Sequence, residues 1–211
     1  MKPKAVLFDV DGTILPFDGI IHHLQLTSKH FKVRVPTKKE LLTYTVGYSL
    51  KESIPIVIPE TKKIIDEFRD YFRSSYNSDV SSIKPFPFVK RIFSYIKKKR
   101  IKIGIVTTKQ KHQAEVTLKH YKLPFDVLIG FDNVKKRKPH PEPVLKACRI
   151  LKVKPEDCIF FGDHPFDMEA ARSAGCVAVG VLTGWGKRNN LKKSGANFII
   201  KDLRELKKLI K

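Results

Sequence analysis

Short runs of apolar and β-branched residues alternate along this chain with longer stretches whose apolar positions recur at helical spacing. Residues 5–10, 101–107, 125–130, 158–162 and 176–182 read as buried strands, with 198–200 a shorter one. Helix-length patterns fill 109–122, 139–151 and 166–174 between them. Strands that are apolar throughout and separated by helices are the pattern of βα units, so the expected class is α/β with a parallel sheet. Near the end of the chain, Leu203, Leu206 and the pair Leu209/Ile210 share one helical face, and Asp202 stands where an N-cap belongs.

One interval breaks the alternation. Between Ile14 and Phe88 no strand-like run occurs, only helical stretches separated by Pro36, Gly47, Pro55, Pro59 and the serine-rich 74–82 segment. Within 62–72, Ile64, Ile65, Phe68, Tyr71 and Phe72 fall at near-helical spacing. This reads as a helical insertion after the first strand, with Pro85-Phe86-Pro87 as its return linker. The expected division is a core made of 1–13 and 89–211, interrupted by a helical segment at 14–88.

Composition then narrows the class. The chain has 211 residues, 42% of them hydrophobic, enough for a real core and against disorder or a small stapled fold. Its longest apolar runs fall far short of the roughly 20 residues a membrane span needs. Met-Lys-Pro-Lys4 leads straight into the first strand without an apolar signal-type stretch, so a cytoplasmic location is expected. Cys148, Cys158 and Cys176 form neither an even framework nor a CxxC pair, which points to a reduced protein without structural zinc. The net charge is +21, a field that attracts polyanions or phosphorylated substrates. The insertion holds 11 basic and 8 acidic residues, so +18 of that charge belongs to the flanking α/β segments.

The candidate chemistry sits at strand ends. In a parallel α/β sheet, ligands bind at the carboxyl ends of the strands. The first strand runs into Asp9-Val-Asp11-Gly12-Thr13, two carboxylates one residue apart followed by a turn-permitting glycine. The strand at 158–162 runs into Gly162-Asp163, with Asp167 four residues on at a helix start. Parallel strands end on one edge, so Asp163 can meet Asp9 and Asp11. Carboxylates gathered without His or Cys suit a hard cation of the Mg²⁺ kind. Thr107-Thr108 ends another strand with hydroxyls able to hold a phosphoryl oxygen, and Lys138 follows the 125–130 strand where it can neutralise phosphoryl charge. Taken singly each is also ordinary: Asp-x-Asp is a common solvated turn, Asp167 can simply cap a helix, and Lys138 is one lysine of many.

Taken in order, Asp9-Val-Asp11-Gly-Thr13, Thr107 at a strand end, Lys138-Pro and Gly162-Asp163-x-x-x-Asp167 resemble the four motifs of the haloacid dehalogenase superfamily, over the whole chain. Lys138-Pro-His-Pro141-Glu-Pro143 and Gly180-Val-Leu-Thr-Gly184-Trp-Gly186 are similar to its phosphoglycolate phosphatase-type members. The resemblance implies a Rossmann-like, three-layer parallel-sheet core with an inserted α-helical cap. It implies a Mg²⁺-dependent phosphatase in which Asp9 is the nucleophile and Asp11 the acid and base. Thr107, Thr108 and Lys138 would hold the phosphoryl group. Mg²⁺ would sit on Asp9, Asp163 and the Asp11 backbone carbonyl, with Asp167 behind them. The implied partner is a small phosphorylated metabolite, with neither a membrane nor nucleic acid, and the chain is expected to be a monomer or homodimer.

The match has three departures: Pro16-Phe17 where an acid or amide often follows the first motif, Thr108 in place of Asn, and His164 in place of a small hydroxyl residue. A sugar phosphomutase of the same fold is the alternative within the class. A basic nucleic-acid-binding protein on this scaffold is the alternative outside it. Three further segments carry a structural and a functional reading side by side: His22-His23 as a pocket wall or a satisfied pair, Trp185 as an active-site loop or core-edge packing, and 45–49 as a substrate-contacting turn.

Overall fold

The computed structural model describes residues 2–44 and 48–210. In chain order the regular elements begin with β1 (Ala5–Phe8), α1 (Asp18–His30), α2 (Lys38–Tyr44), α3 (Leu50–Val57) and α4 (Ile65–Ser78). They continue with α5 (Val89–Lys98), β2 (Lys102–Val106), α6 (Lys111–His120), β3 (Val127–Ile129), α7 (Glu142–Leu151), β4 (Cys158–Gly162) and α8 (Pro165–Ala174). The chain closes with β5 (Val177–Val181), α9 (Arg188–Lys193), β6 (Phe198–Ile200) and α10 (Leu206–Leu209). Two compact units result, one of residues 1–16 and 85–211, the other of 17–84.

All six strands of the first unit pair in parallel in the order β3-β2-β1-β4-β5-β6. The expected α/β class is observed. Alternation along β1 assigns its side chains to two faces. Ala5 and Leu7 pair in register with Cys158 and Phe160 and pack under α7 and α8 with Val144, Ala147 and Met168. Val6 and Phe8 face the other way, where Phe8 stacks between Phe93 of α5 and Phe161 at 5.2 Å from each. Helix α5 belongs there because Val89, Ile92, Phe93 and Ile96 make one buried stripe while Lys90, Arg91, Lys97 and Lys98 do not. Buried apolar sequence on both sides of β1 makes it the central strand, and its carboxyl end the floor of any site.

The second unit is helical, as its pattern predicts, with differences at the breaks. Pro55 lies inside α3 instead of ending it; the amide it lacks would serve only the carbonyl of the exposed Lys51. Ser49 starts that helix through a reciprocal capping box with Glu52. The serine-rich stretch ends a helix only in its second half: α4 runs through Ser74 and Ser75 to Ser78, a 3-10 turn follows at Val80–Ser82, and the Ser75 hydroxyl lies 2.9 Å from His23 Nδ1. His23 is fully buried, with Ser82 at its other ring nitrogen, so it is a satisfied core residue. Of the 45–49 turn, residues 45–47 lie outside the described residues. No described helix is long and apolar enough to cross a membrane.

Two further expectations are revised. The terminal segment is not one helix. It is a 3-10 turn at Leu203–Glu205 followed by the short α10, although Asp202 does cap it through the Arg204 amide at 2.9 Å. The cysteines, scattered in sequence, are close neighbours in space: all three sulfurs lie within 4.8 Å of one another.

Candidate active site

Asp9 follows β1 directly, and Asp163 follows β4, its neighbour in the sheet. In this strand order the connections diverge between β1 and β4, so the two acids flank the crevice where α/β folds bind ligands. The backbone makes room for them. Gly12 has φ +80°, a conformation costly for any other residue, and a Cβ there would collide with the Asp163 carboxyl. Thr13 donates its hydroxyl to Asp163 Oδ1 at 3.2 Å, and the Trp185 amide donates to Oδ2 at 2.8 Å. Trp185 thus belongs to a loop that holds Asp163, with its ring 4.9 Å from that of His164.

Lys138 reaches into the same place from the loop after β3. Its ammonium donates to Asp9 Oδ1 at 2.9 Å, to Asp167 Oδ1 at 2.5 Å and to the Val106 carbonyl at 3.2 Å. Only 3% of the side chain is exposed, and an unpaired cation would not persist at that depth. Burial disfavours the charged lysine, but Asp167 and Asp9 outweigh it and raise its pKa, so it stays protonated. The carboxylates respond oppositely. Burial raises the pKa of Asp9 against the pull of Lys138, and burial with the charges of Asp9 and Asp167 raises that of Asp163 well above the usual range.

Carboxylate oxygens of Asp9, Asp163 and Asp167 all lie within 4.8 Å of one another, and all three residues are buried. Three carboxylates against one ammonium leave a local excess of negative charge in an all-oxygen setting, which fits a hard divalent cation. Membership of this cluster differs from expectation. Asp167, expected behind the site, puts its carboxylate in the group, while the Asp11 carboxylate does not join it. Asp167 caps α8 by accepting from the His164 amide at 2.9 Å, and this turns it back toward Gly162, where a Cβ would strike it. One carboxylate thus both caps α8 and stands in the cluster.

The Asp11 carboxylate pairs instead with Lys109 Nζ at 3.1 Å, and its other oxygen is buried without a hydrogen-bond partner among the described residues. Burial raises its pKa while Lys109 pulls it down. Thr107 is buried and accepts from the Lys109 amide at 3.1 Å, with Thr108 half-buried beside it. Lys109 is the residue missed in the sequence; Thr13 and the loop with Trp185 stood in the motifs without these roles, and the Thr183 hydroxyl of that loop donates to the Gly12 carbonyl at 2.6 Å. Lys109 adjoins Thr107-Thr108 and was within reach. The active-site-loop reading of Trp185 was open in the sequence, but the loop's contacts with Gly12 and Asp163 lie more than 20 residues away and were not legible.

The family model described as haloacid dehalogenase-like hydrolase matches residues 6–181. The chain belongs to the haloacid dehalogenase-like hydrolase family. It is thus an enzyme of a hydrolase family. A Caldanaerobacter subterraneus subsp. tengcongensis protein provisionally named pyrophosphatase PpaX is 33% identical, the alignment covering 100% of this chain and 96% of that protein. A crystal structure from Bacteroides fragilis, titled as a haloacid dehalogenase-like hydrolase, superposes with TM-score 0.86 at 27% identity, over 97% of this chain and 100% of that one. A structure from Haemophilus somnus, described as a predicted phosphoglycolate phosphatase, has the same fold, with TM-score 0.87 at 21% identity over 99% and 98% of the two chains.

Proposed function

We propose that this hydrolase is a Mg²⁺-dependent phosphatase acting on a small organic phosphate through a phosphorylated Asp9. The observation that carries this reading is the Asp9 carboxylate itself, buried at the end of the central strand, hydrogen-bonded to Lys138 and next to Asp163 and Asp167. Asp9, Asp163 and Asp167, with the Asp11 carbonyl that the family resemblance adds, would hold Mg²⁺. When bound, the ion neutralises carboxylate and phosphoryl charge that would otherwise repel.

Each other step falls to a residue of this chain. A carboxylate oxygen of Asp9 attacks phosphorus as the bond to the leaving oxygen breaks, forming an acyl phosphate. Asp11 gives its proton to the leaving oxygen; burial helps it hold that proton, and Lys109 helps it exist as the base afterwards. Water then attacks the acyl phosphate, Asp11 takes the water proton, and phosphate leaves with Asp9 regenerated. Lys138 stays charged throughout and, with Thr107 and Thr108, holds the transferring group. Residues 17–84 act as the substrate-selecting cap. Three free buried thiols agree with a cytoplasmic location.

The names of the relatives select the first substrates to try. Purified protein is assayed for phosphate release from p-nitrophenyl phosphate, phosphoglycolate and pyrophosphate, with Mg²⁺ and with a chelator. Turnover that requires Mg²⁺ and disappears in Asp9→Asn is expected; turnover that survives Asp9→Asn sinks the mechanism.

A further inference from the structure

The opposite edge of the same sheet holds a second cluster. We propose that Cys148, Cys158 and Cys176 form a three-thiolate site for a soft, thiophilic monovalent cation of the Cu(I) class, bound in preference to Zn²⁺. Cys148 lies on α7, Cys158 opens β4, and Cys176 immediately precedes β5. Three separate elements thus contribute one sulfur each. The Cys148 and Cys158 sulfurs are 3.6 Å apart, and all three fall within 4.8 Å. Metal–sulfur bonds of about 2.3 Å put sulfurs about 4 Å apart around a shared ion, so only small side-chain movements are needed.

The surroundings choose the kind of ion. The three cysteines are buried, and the cluster lies among Ala5, Ala147, Leu151 and Ala174. A hard, hydrated cation finds no oxygen shell there; the Lys154 carbonyl, accepting from the Cys158 thiol at 3.4 Å, does not supply one. Soft sulfur ligands select Cu(I) or Zn²⁺. Structural zinc is almost always four-coordinate, yet the chain has three cysteines, and among the described residues no His or carboxylate joins the group. Cu(I) is satisfied by three sulfurs. Each metal–sulfur bond forms as one S–H proton passes to solvent, so loading releases protons and tightens as pH rises. The bound ion would pin α7 to the starts of β4 and β5, roughly 16 Å of strand away from Asp163. Cysteine as a small buried hydrophobe is the competing account.

The test reads metal, not hydrolysis, and so stands or falls apart from the phosphatase reading. Reduced protein is loaded with Cu(I) without oxygen, by titration and by refolding, against a competing Cu(I) chelator. Thiolate-to-copper charge-transfer absorption counts the ions. One ion per chain is expected, with affinity falling roughly a hundredfold or more in Cys148→Ser and in Cys176→Ser. Circular dichroism verifies that each variant is folded, and Cys148→Ala and Cys176→Ala replace any that is not. No uptake by either route, uptake unchanged in the folded variants, or tighter binding of Zn²⁺ at these cysteines overturns the proposal.

Discussion

The two edges of one sheet each gather three potential ligands, but they solve opposite electrostatic problems. At the carboxyl edge, Asp9, Asp163 and Asp167 are charged groups forced together, and they persist because Lys138 sits among them and loop donors serve Asp163. At the amino edge, the three cysteines are neutral until they lose protons and can pack as apolar groups. The first cluster therefore stores repulsion that a cation relieves, whereas the second has nothing to relieve until a metal arrives. Function at the carboxylate edge comes at some cost in stability.

The sharpest way to break the contrast is Asp9→Asn. Phosphate release should fall about a thousandfold or more. The metal-free protein should nonetheless melt at a higher temperature, because one of three repelling carboxylates is gone; a lower melting temperature would mean the cluster is not strained. Lys138→Met acts in the opposite sense. It leaves buried carboxylates without their cation, so denaturant unfolding should show a loss of about 3–5 kcal/mol, partly restored by Mg²⁺. At the other edge, Cys158→Ser buries a hydroxyl among apolar groups and should cost about 1–3 kcal/mol by the same measurement, with phosphate release unchanged. The smallest effect is expected from Lys109→Met, which frees Asp11 of its partner. The value of kcat/KM should fall about tenfold, while unfolding moves little.

The carboxylate edge was legible in the sequence for a physical reason. Asp9, Thr107 and Asp163 each follow a buried strand at once, so the strand end that shows in the apolar pattern also fixes where the side chain emerges. The whole sheet could be read in the same way, and boundaries moved by only one or two residues at most strand ends. Helix breaks in 17–84 were less legible. Pro55 and Ser74-Ser75 look like punctuation, but tertiary contacts such as Ser75 with His23 decide whether a helix continues. Lys109, adjacent to Thr107-Thr108, was overlooked because one more lysine in a chain of +21 carries no signal of its own.

The sequence by itself determined the class of fold, the order of the motifs and the residues that end the strands, since these depend on local periodicity and on the shared direction of parallel strands. Only the tertiary structure decided which carboxylates meet. Asp167 joins Asp9 and Asp163 because capping α8 turns it toward a glycine, while Asp11 turns to Lys109. Only it brought three cysteines from three elements into one cluster. Both outcomes depend on how helices seat on the sheet, a matter of packing between segments far apart in the chain.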